Sequence, residues 1–408
     1  LKRRAVVVSN LAVPTMVADP FHFAPEQRAT FARALEATKN YDVYCDFPVL
    51  SELVPRSYTP TCILVTGAAG FIASHVAIRL TQLYPQYRII GLDKMSYASD
   101  EANLASLREC QNFRFVKGDI CDYDLLLQLM REEKVDTVMH FAAQSHVDLS
   151  FKERGPMQFV IDNALGTASL VEASQKCGIR RFVHCSTDEV YGEGSLSNRV
   201  MFDEASPLRP TNPYSASKAA ADLLVQSFAK SFGFPVVITR GNNCFGPHQF
   251  YEKVVPKFVA QLKLGRQITI HGGGTNTRNF LHVQDTASAF DAVLHCGELG
   301  EIYNVGGKNE KSTLDVAASV LLAMGLDHRR EELVQFVADR AHNDACYPIT
   351  CAKLHALGWR ERHSWEFGIV QTTSYYLQKL ETEGRNLMGV LAAHPTHKAT
   401  DGMLRSRL

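Results

Sequence analysis

Thr66-Gly67-Ala68-Ala69-Gly70-Phe71-Ile72-Ala73-Ser74 follows the apolar run Cys62 to Val65 and leads into a helical pattern that reaches about Tyr84. Strand, glycine-punctuated turn and helix in that order make a G-x-x-G-x-x-A loop. Its glycines permit a tight turn and bring backbone N–H groups close to a pyrophosphate, to which the helix N-terminus adds partial positive charge. Ala73 takes the third glycine position, which serves close packing of helix on strand and accepts a methyl group. Asp93 ends the next strand candidate, twenty residues past Ala73. A carboxylate there accepts hydrogen bonds from the adenosine ribose and repels a 2′-phosphate, so the pattern favours NAD over NADP. The stretch names Gly67, Gly70, Phe71, Ile72, Asp93 and the adjacent Lys94 as cofactor residues. A purely structural glycine turn is the alternative.

On either side of the loop the chain alternates short β-branched runs with amphipathic segments. Strand candidates are Cys62 to Val65, Arg88 to Leu92, Phe113 to Lys117, Thr137 to Phe141, Arg181 to Cys185 and Val236 to Thr239, and the intervening helical spacing predicts a parallel, doubly wound α/β sheet. Residues 61–240 and 281–308 are expected to form the dinucleotide domain, with 241–280 and 309–380 a smaller α+β lobe for substrate. Prolines punctuate residues 1–60, where only Pro25 to Thr38 has helical character; the segment reads as a partly ordered N-terminal extension, and 381–408 as a tail.

The bulk numbers narrow the class. At 408 residues the chain suits one large α/β unit or two lobes. Lys+Arg and Asp+Glu balance at 43 each, so no global field points to nucleic acid, and an anionic ligand must be held by a few placed cations. Ten cysteines with no C-x-x-C pair fit a reduced, cytoplasmic protein without a metal centre. No apolar run approaches the roughly 20 residues of a spanning helix, so no membrane partner is expected.

Candidate site residues lie where strand candidates run out. Asp119-Ile120 is placed to meet an adenine, and Phe141-Ala142-Ala143 to line ribose and nicotinamide, with Ser145 beyond them. His146 reads as a structural histidine. After Arg181 to Cys185 comes Ser186-Thr187-Asp188-Glu189-Val190-Tyr191-Gly192, a hydroxyl and two carboxylates at a strand end, which by itself could equally cap the next segment. Tyr214 and Lys218 stand at i and i+4 of a helix opened by Pro213, where an ammonium is expected to lower the phenol's pKa and make Tyr214 a base. Lys253, Arg278 and Arg340 are candidate diphosphate cations, each with a surface charge as the alternative, and Asn243 and Asn304 join them on the substrate side.

With these residues assembled, the chain resembles the extended short-chain dehydrogenase/reductases over residues 61–380 and, more narrowly, the nucleoside-diphosphate-glucose 4,6-dehydratases. Ser186 to Gly192, Tyr214 to Lys218, Phe141 to Asp148 and Ile302 to Gly307 carry the likeness. Epimerases of the superfamily usually lack the Asp-Glu pair after the threonine. Thr66 to Val76, Val236 to Gly246 and Ala392, His394 and Pro395 look most like the UDP-glucose 4,6-dehydratase domain of rhamnose synthases, with dTDP-glucose enzymes the alternative.

The resemblance implies a Rossmann domain with tightly held NAD, and UDP-glucose or dTDP-glucose as substrate. It also implies Tyr214 and Lys218 as the base system at O4, Thr187 bound to O4, Glu189 as base at C5 and Asp188 as acid at the C6 hydroxyl. The product is expected to be the 4-keto-6-deoxy sugar nucleotide, and, with no further domain expected after residue 408, a separate epimerase/reductase is the expected downstream partner. A homodimer paired through helices near Pro156 to Cys177 and Pro213 to Phe232 is expected, against packing of those faces on the sheet. The competing readings are a C4 epimerase and a non-catalytic NAD-binding scaffold. The chain departs from the family pattern at Ala341 and Cys346, where proline and arginine are usual, at Tyr251 in place of proline, and at Asp162 in place of threonine.

Overall fold

The structure is a computed structural model describing residues 20–39, 41, 55–194, 201–338, 346–382, 387 and 391. All six strand candidates form strands: β1 (Cys62–Thr66), β2 (Arg88–Asp93), β3 (Phe113–Lys117), β4 (Thr137–His140), β5 (Arg181–Thr187) and β6 (Val236–Gly241). Three more follow, β7 (Asn243–Phe245), β8 (Ile268–His271) and β9 (Thr277–His282), and then β10 (Ile302–Val305) returns beside β6. The resulting parallel sheet has seven strands in the order β10-β6-β5-β4-β1-β2-β3.

Alternation along the strands assigns the two faces. Ile63 and Val65 of β1 pack with Val183, Val237, Ala287 and Val293 on one side. Leu64 packs with Val138, Leu126, Leu170 and Val225 on the other. Both faces are covered, as a parallel sheet requires, and β1 is buried along its whole length. The strand order turns back between β1 and β4, and the crevice beyond their carboxyl ends is where such sheets bind ligands.

A second core contains Phe258, Val320, Trp365 and Ile369, from helices Val254–Lys263, Thr313–Ala323 and Trp365–Thr382. Two small sheets complete the lobe: β11 (Asn309–Ser312) pairs with β9, which also pairs with β7, and β12 (Val334–Val337) pairs with β8. Two segments fall elsewhere than the sequence division assigned them. Helix Pro25–Thr38 buries Phe31 and Ala34 in this second core, and Arg28 pairs with Asp327 at 2.6 Å, so part of the extension is an added helix of the lobe. Leu354 and Trp359, placed by sequence with the lobe, instead fill the sheet's first core, where Trp359 Nε1 donates to Ser288 Oγ at 2.8 Å. No helix among the described residues is long and apolar enough to cross a membrane.

Candidate active site

A cavity of about 480 Å³ runs from the glycine loop past the ends of β2, β4 and β5 to the second lobe. That size suits a small-molecule site. Gly67 adopts φ +69°, and a Cβ there would lie 2.9 Å from the Ala142 backbone, so only glycine allows β1 and β4 to meet at this cradle. Gly70 caps helix Phe71–Leu83 without a side-chain hydrogen bond, which leaves the first amides of the helix directed at the cavity. Asp93 is turned largely onto the loop. Its carboxylate accepts from Ala69 N at 3.1 Å, Met95 N at 2.8 Å and Ser99 Oγ at 2.9 Å. That uses about three of its four acceptor directions and leaves one for a ribose hydroxyl. The glycine cradle, open helix start and acid together fit a dinucleotide with its adenosine at β2.

The stretch after β5 caps itself and also lies at the cavity. Thr187 Oγ1 accepts from Glu189 N at 3.3 Å, opening a short 3₁₀ turn over Asp188–Tyr191. Thr187 and Glu189 line the cavity, whereas Asp188 sits just behind its wall, 2% exposed. Asp188 accepts from Thr187 Oγ1 at 3.2 Å and from Asn242 Nδ2 at 2.6 Å. Burial and the adjacent Glu189 push its carboxyl up to about 7 against these hydrogen bonds and the charge of Arg278. Asn212 caps helix Pro213–Phe232 and reaches Glu189 Oε2 with its Nδ2 at 3.3 Å. Behind the turn, Arg240 forks onto buried Asp222 at 2.9 and 3.1 Å and donates to the Tyr191 hydroxyl at 3.0 Å, which fixes β6, the helix and the turn relative to one another.

Tyr214 and Lys218 both line the cavity, but the expected downward pull on the phenol is corrected by the structure. Burial, then the charge of Glu189, pushes Tyr214 well above the usual tyrosine range. The Lys218 ammonium donates to the Cys185 carbonyl at 2.7 Å, and burial lowers its own pKa. A phenolate at Tyr214 therefore needs further positive charge in the cavity.

Lys94, Asp119, Ile120, Phe141, Ala142, Ala143, Ser145, Asn243, Lys253 and Arg278 also line the cavity. Lys253 Nζ donates to the Ser145 carbonyl at 3.0 Å, joining the two lobes across the opening, and Arg278 lies 4.8 Å over the Tyr347 ring. Asn304 does not reach the cavity: fully buried, it accepts from the Tyr191 hydroxyl at 2.8 Å and donates to the Thr350 carbonyl at 3.1 Å, so its role is to brace the turn. Arg340 and Ala341 lie outside the described residues. His146, read as structural, lines the cavity 3.7 Å from Glu252. Sequence reasoning missed Asn212 and Glu252 as site residues, and Asn242 as the partner of Asp188; only the cap position of Asn212 carried a local signal. Among the described residues no group of three His, Cys, Asp or Glu is placed to hold a metal ion.

The family described as GDP-mannose 4,6 dehydratase matches residues 64–372. The chain is 49% identical over 340 residues to a trifunctional UDP-glucose 4,6-dehydratase/UDP-4-keto-6-deoxy-D-glucose 3,5-epimerase/UDP-4-keto-L-rhamnose-reductase of Arabidopsis thaliana, covering 83% of this chain and 50% of that protein. It thus spans about half the length of the first curated relatives it matches. A dTDP-D-glucose 4,6-dehydratase of Mus musculus is 47% identical over 317 residues, 77% of this chain and 88% of the relative. Among solved structures, a dTDP-glucose 4,6-dehydratase of Streptomyces venezuelae with NAD bound superposes with a TM-score of 0.74 at 37% identity, covering 79% of this chain and 99% of that one. Sequence, fold and cavity agree, and the chain belongs to the GDP-mannose 4,6 dehydratase family of extended short-chain dehydrogenase/reductases.

Proposed function

We propose that the chain dehydrates a nucleoside diphosphoglucose, UDP-glucose first and dTDP-glucose as the alternative, to the 4-keto-6-deoxy sugar nucleotide with bound NAD. The observation that carries this reading is a pair of carboxyls at one strand end: Glu189 lines the cavity with Thr187, Tyr214 and Lys218, and Asp188, raised to about 7, sits just behind that wall. A redox site alone needs only Tyr214 and Lys218; elimination of water needs an acid and a base as well.

Each residue has a task. Tyr214 takes the O4 proton while Thr187 holds that oxygen, and the C4–H bond breaks to leave a ketone. NAD, which the glycine cradle and Asp93 would hold, would supply a positive charge and a reversible hydride acceptor for C4 and C6, so no NADH would accumulate. The ketone acidifies the C5 proton, which Glu189 removes. Asp188 hands its proton to the departing C6 hydroxyl, which leaves as water, and Glu189 then returns a proton to C5. Lys218, tied to the Cys185 carbonyl, keeps an ammonium near Tyr214. Arg278 and Lys253 suit the substrate diphosphate, since a guanidinium fork and an ammonium match its oxygens. The relatives' names, for UDP-glucose and dTDP-D-glucose enzymes, support the same chemistry.

Incubation with UDP-glucose and dTDP-glucose side by side, with products read by mass and NMR, tests the proposal. A product lighter by one water and carrying a C4 ketone is expected; an isomer of unchanged mass with inverted C4 would make the protein an epimerase. The ketone product would be consumed by an enzyme that epimerises or reduces it. A homodimer is also proposed, because Met157, Val160 and Leu223 are 65%, 50% and 55% exposed around helix Pro213–Phe232. Its test is sedimentation of Leu223→Asp, expected to shift the protein to monomer. Thiols buried in the fold, Cys62 among them, suit work in the reducing cytoplasm.

A further inference from the structure

Lys94 follows Asp93 at the end of β2, where the adenosine ribose of a dinucleotide lies. A free cation at that place accommodates a 2′-phosphate and would work against the selectivity that Asp93 confers. Lys94 is not free. Its Nζ donates to Asp162 Oδ1 at 2.5 Å and lies 3.5 Å from Asp119 Oδ2. Asp162 comes from a distant part of the chain, the π-helical turn Val160–Leu165, and lines the same cavity at 6% exposure.

The turn is held rigidly. The neighbouring Asn163 accepts from Gln144 N at 2.7 Å and donates to the Gln144 carbonyl at 3.0 Å and to Ser217 Oγ at 2.8 Å, which pins it both to the loop after β4 and to the helix carrying Tyr214. The second oxygen of Asp162 accepts from Gln158 Nε2 at 3.1 Å. Burial pulls the Lys94 ammonium down, but the hydrogen bond and charge of Asp162, followed by Asp119, outweigh it and keep Lys94 above the usual lysine range. Among the described residues, three carboxylates, Asp93, Asp119 and Asp162, stand around the adenosine end against the ammonium of Lys94.

We propose that Asp162 is a specificity-determining residue: by engaging Lys94 it denies a 2′-phosphate the one cation that the described residues place at this end of the cavity, and so restricts the site to NAD. A 2′-phosphate carries close to two negative charges, so its rejection follows from electrostatics as well as shape. The inference rests on the reading that the cavity takes a dinucleotide, but not on the sugar reaction.

The test is calorimetric titration of nucleotide-free protein with NAD⁺ and with NADP⁺, separately, for wild type, Asp162→Asn, Asp162→Thr and the double variant Lys94→Ala/Asp162→Asn. Thermal melts check that each is folded. Releasing Lys94 is expected to tighten NADP⁺ binding about tenfold, equivalent to about 1.4 kcal/mol, while NAD⁺ affinity changes much less. The gain is expected to disappear in the double variant and to weaken with added salt. An unchanged NADP⁺-to-NAD⁺ ratio in both folded single variants, or a gain that survives removal of Lys94, overturns the role of Asp162. Wild-type protein that binds neither dinucleotide sinks the cofactor reading itself, and this inference with it, whereas absent sugar turnover with normal NAD⁺ binding counts only against the proposed reaction.

Discussion

Replacing Asn242 by leucine is expected to move the alkaline limb of the dehydration rate upward by one to two pH units. As the proposed acid, Asp188 would act in its protonated form, and with its carboxyl raised to about 7 the acid would be lost as pH rises through neutrality. The Asn242 Nδ2 bond at 2.6 Å favours the charged carboxylate over the neutral acid. A hydrogen bond to a charged group is worth about 1.5–3 kcal/mol. At about 1.4 kcal/mol per pK unit, losing it raises Asp188 by roughly one to two units. Leucine keeps the number and branching of the side-chain heavy atoms and removes the donor, which matters because the site is tight: a Cβ at Gly306 would lie 2.3 Å from Asn242 Oδ1. The assay is kcat for release of the 4-keto product across the neutral and alkaline range, with Asp188→Asn as the control that removes the limb. A limb that stays in place or moves downward in folded, substrate-binding Asn242→Leu protein refutes the assignment of Asp188 as the acid under Asn242 control.

Stability should respond to the same carboxyl with a defined sign. Its folded pKa of about 7 exceeds the unfolded 3.8, so the native state gains relative stability below pH 3.8 and loses it as pH rises through 7. Asp188→Asn is therefore expected to stabilise the protein most above neutrality, by at most on the order of 4 kcal/mol, and less at pH 5, as read by chemical denaturation at the two pH values. Tyr214→Phe should lower kcat roughly 10²–10⁴-fold and abolish both nicotinamide reduction and C5 proton exchange in single turnovers. Glu189→Gln should instead retain reduction and lose only the exchange; wild-type exchange in that variant would remove Glu189 from the mechanism. Gly67→Ala, which forces a Cβ against the Ala142 backbone at φ +69°, is expected to eliminate NAD binding or folding, measured by calorimetry and thermal melting.

Much of this protein was legible in local sequence, because strands, glycine turns and i,i+4 pairs are properties of neighbouring residues. The run Cys62 to Val65 followed by the glycine loop specified β1, its helix and a dinucleotide cradle, and five other β-branched runs specified five more of the sheet's seven strands. Pro213, Tyr214 and Lys218 marked their helix for the same reason. Tertiary structure alone decided how those residues are charged and what they touch. Tyr214 is pushed up in pKa where the Tyr/Lys spacing suggested the opposite, since burial and Glu189 outweigh an ammonium turned to Cys185. Asn304 turns onto Tyr191 and away from the cavity, and helix Pro25–Thr38 joins the substrate lobe. Asp188 meets Asn242 54 residues away, and Lys94 meets Asp162 68 residues away. Pattern along a chain reports periodicity and turn chemistry, whereas desolvation and ion pairing depend on groups that only folding brings together.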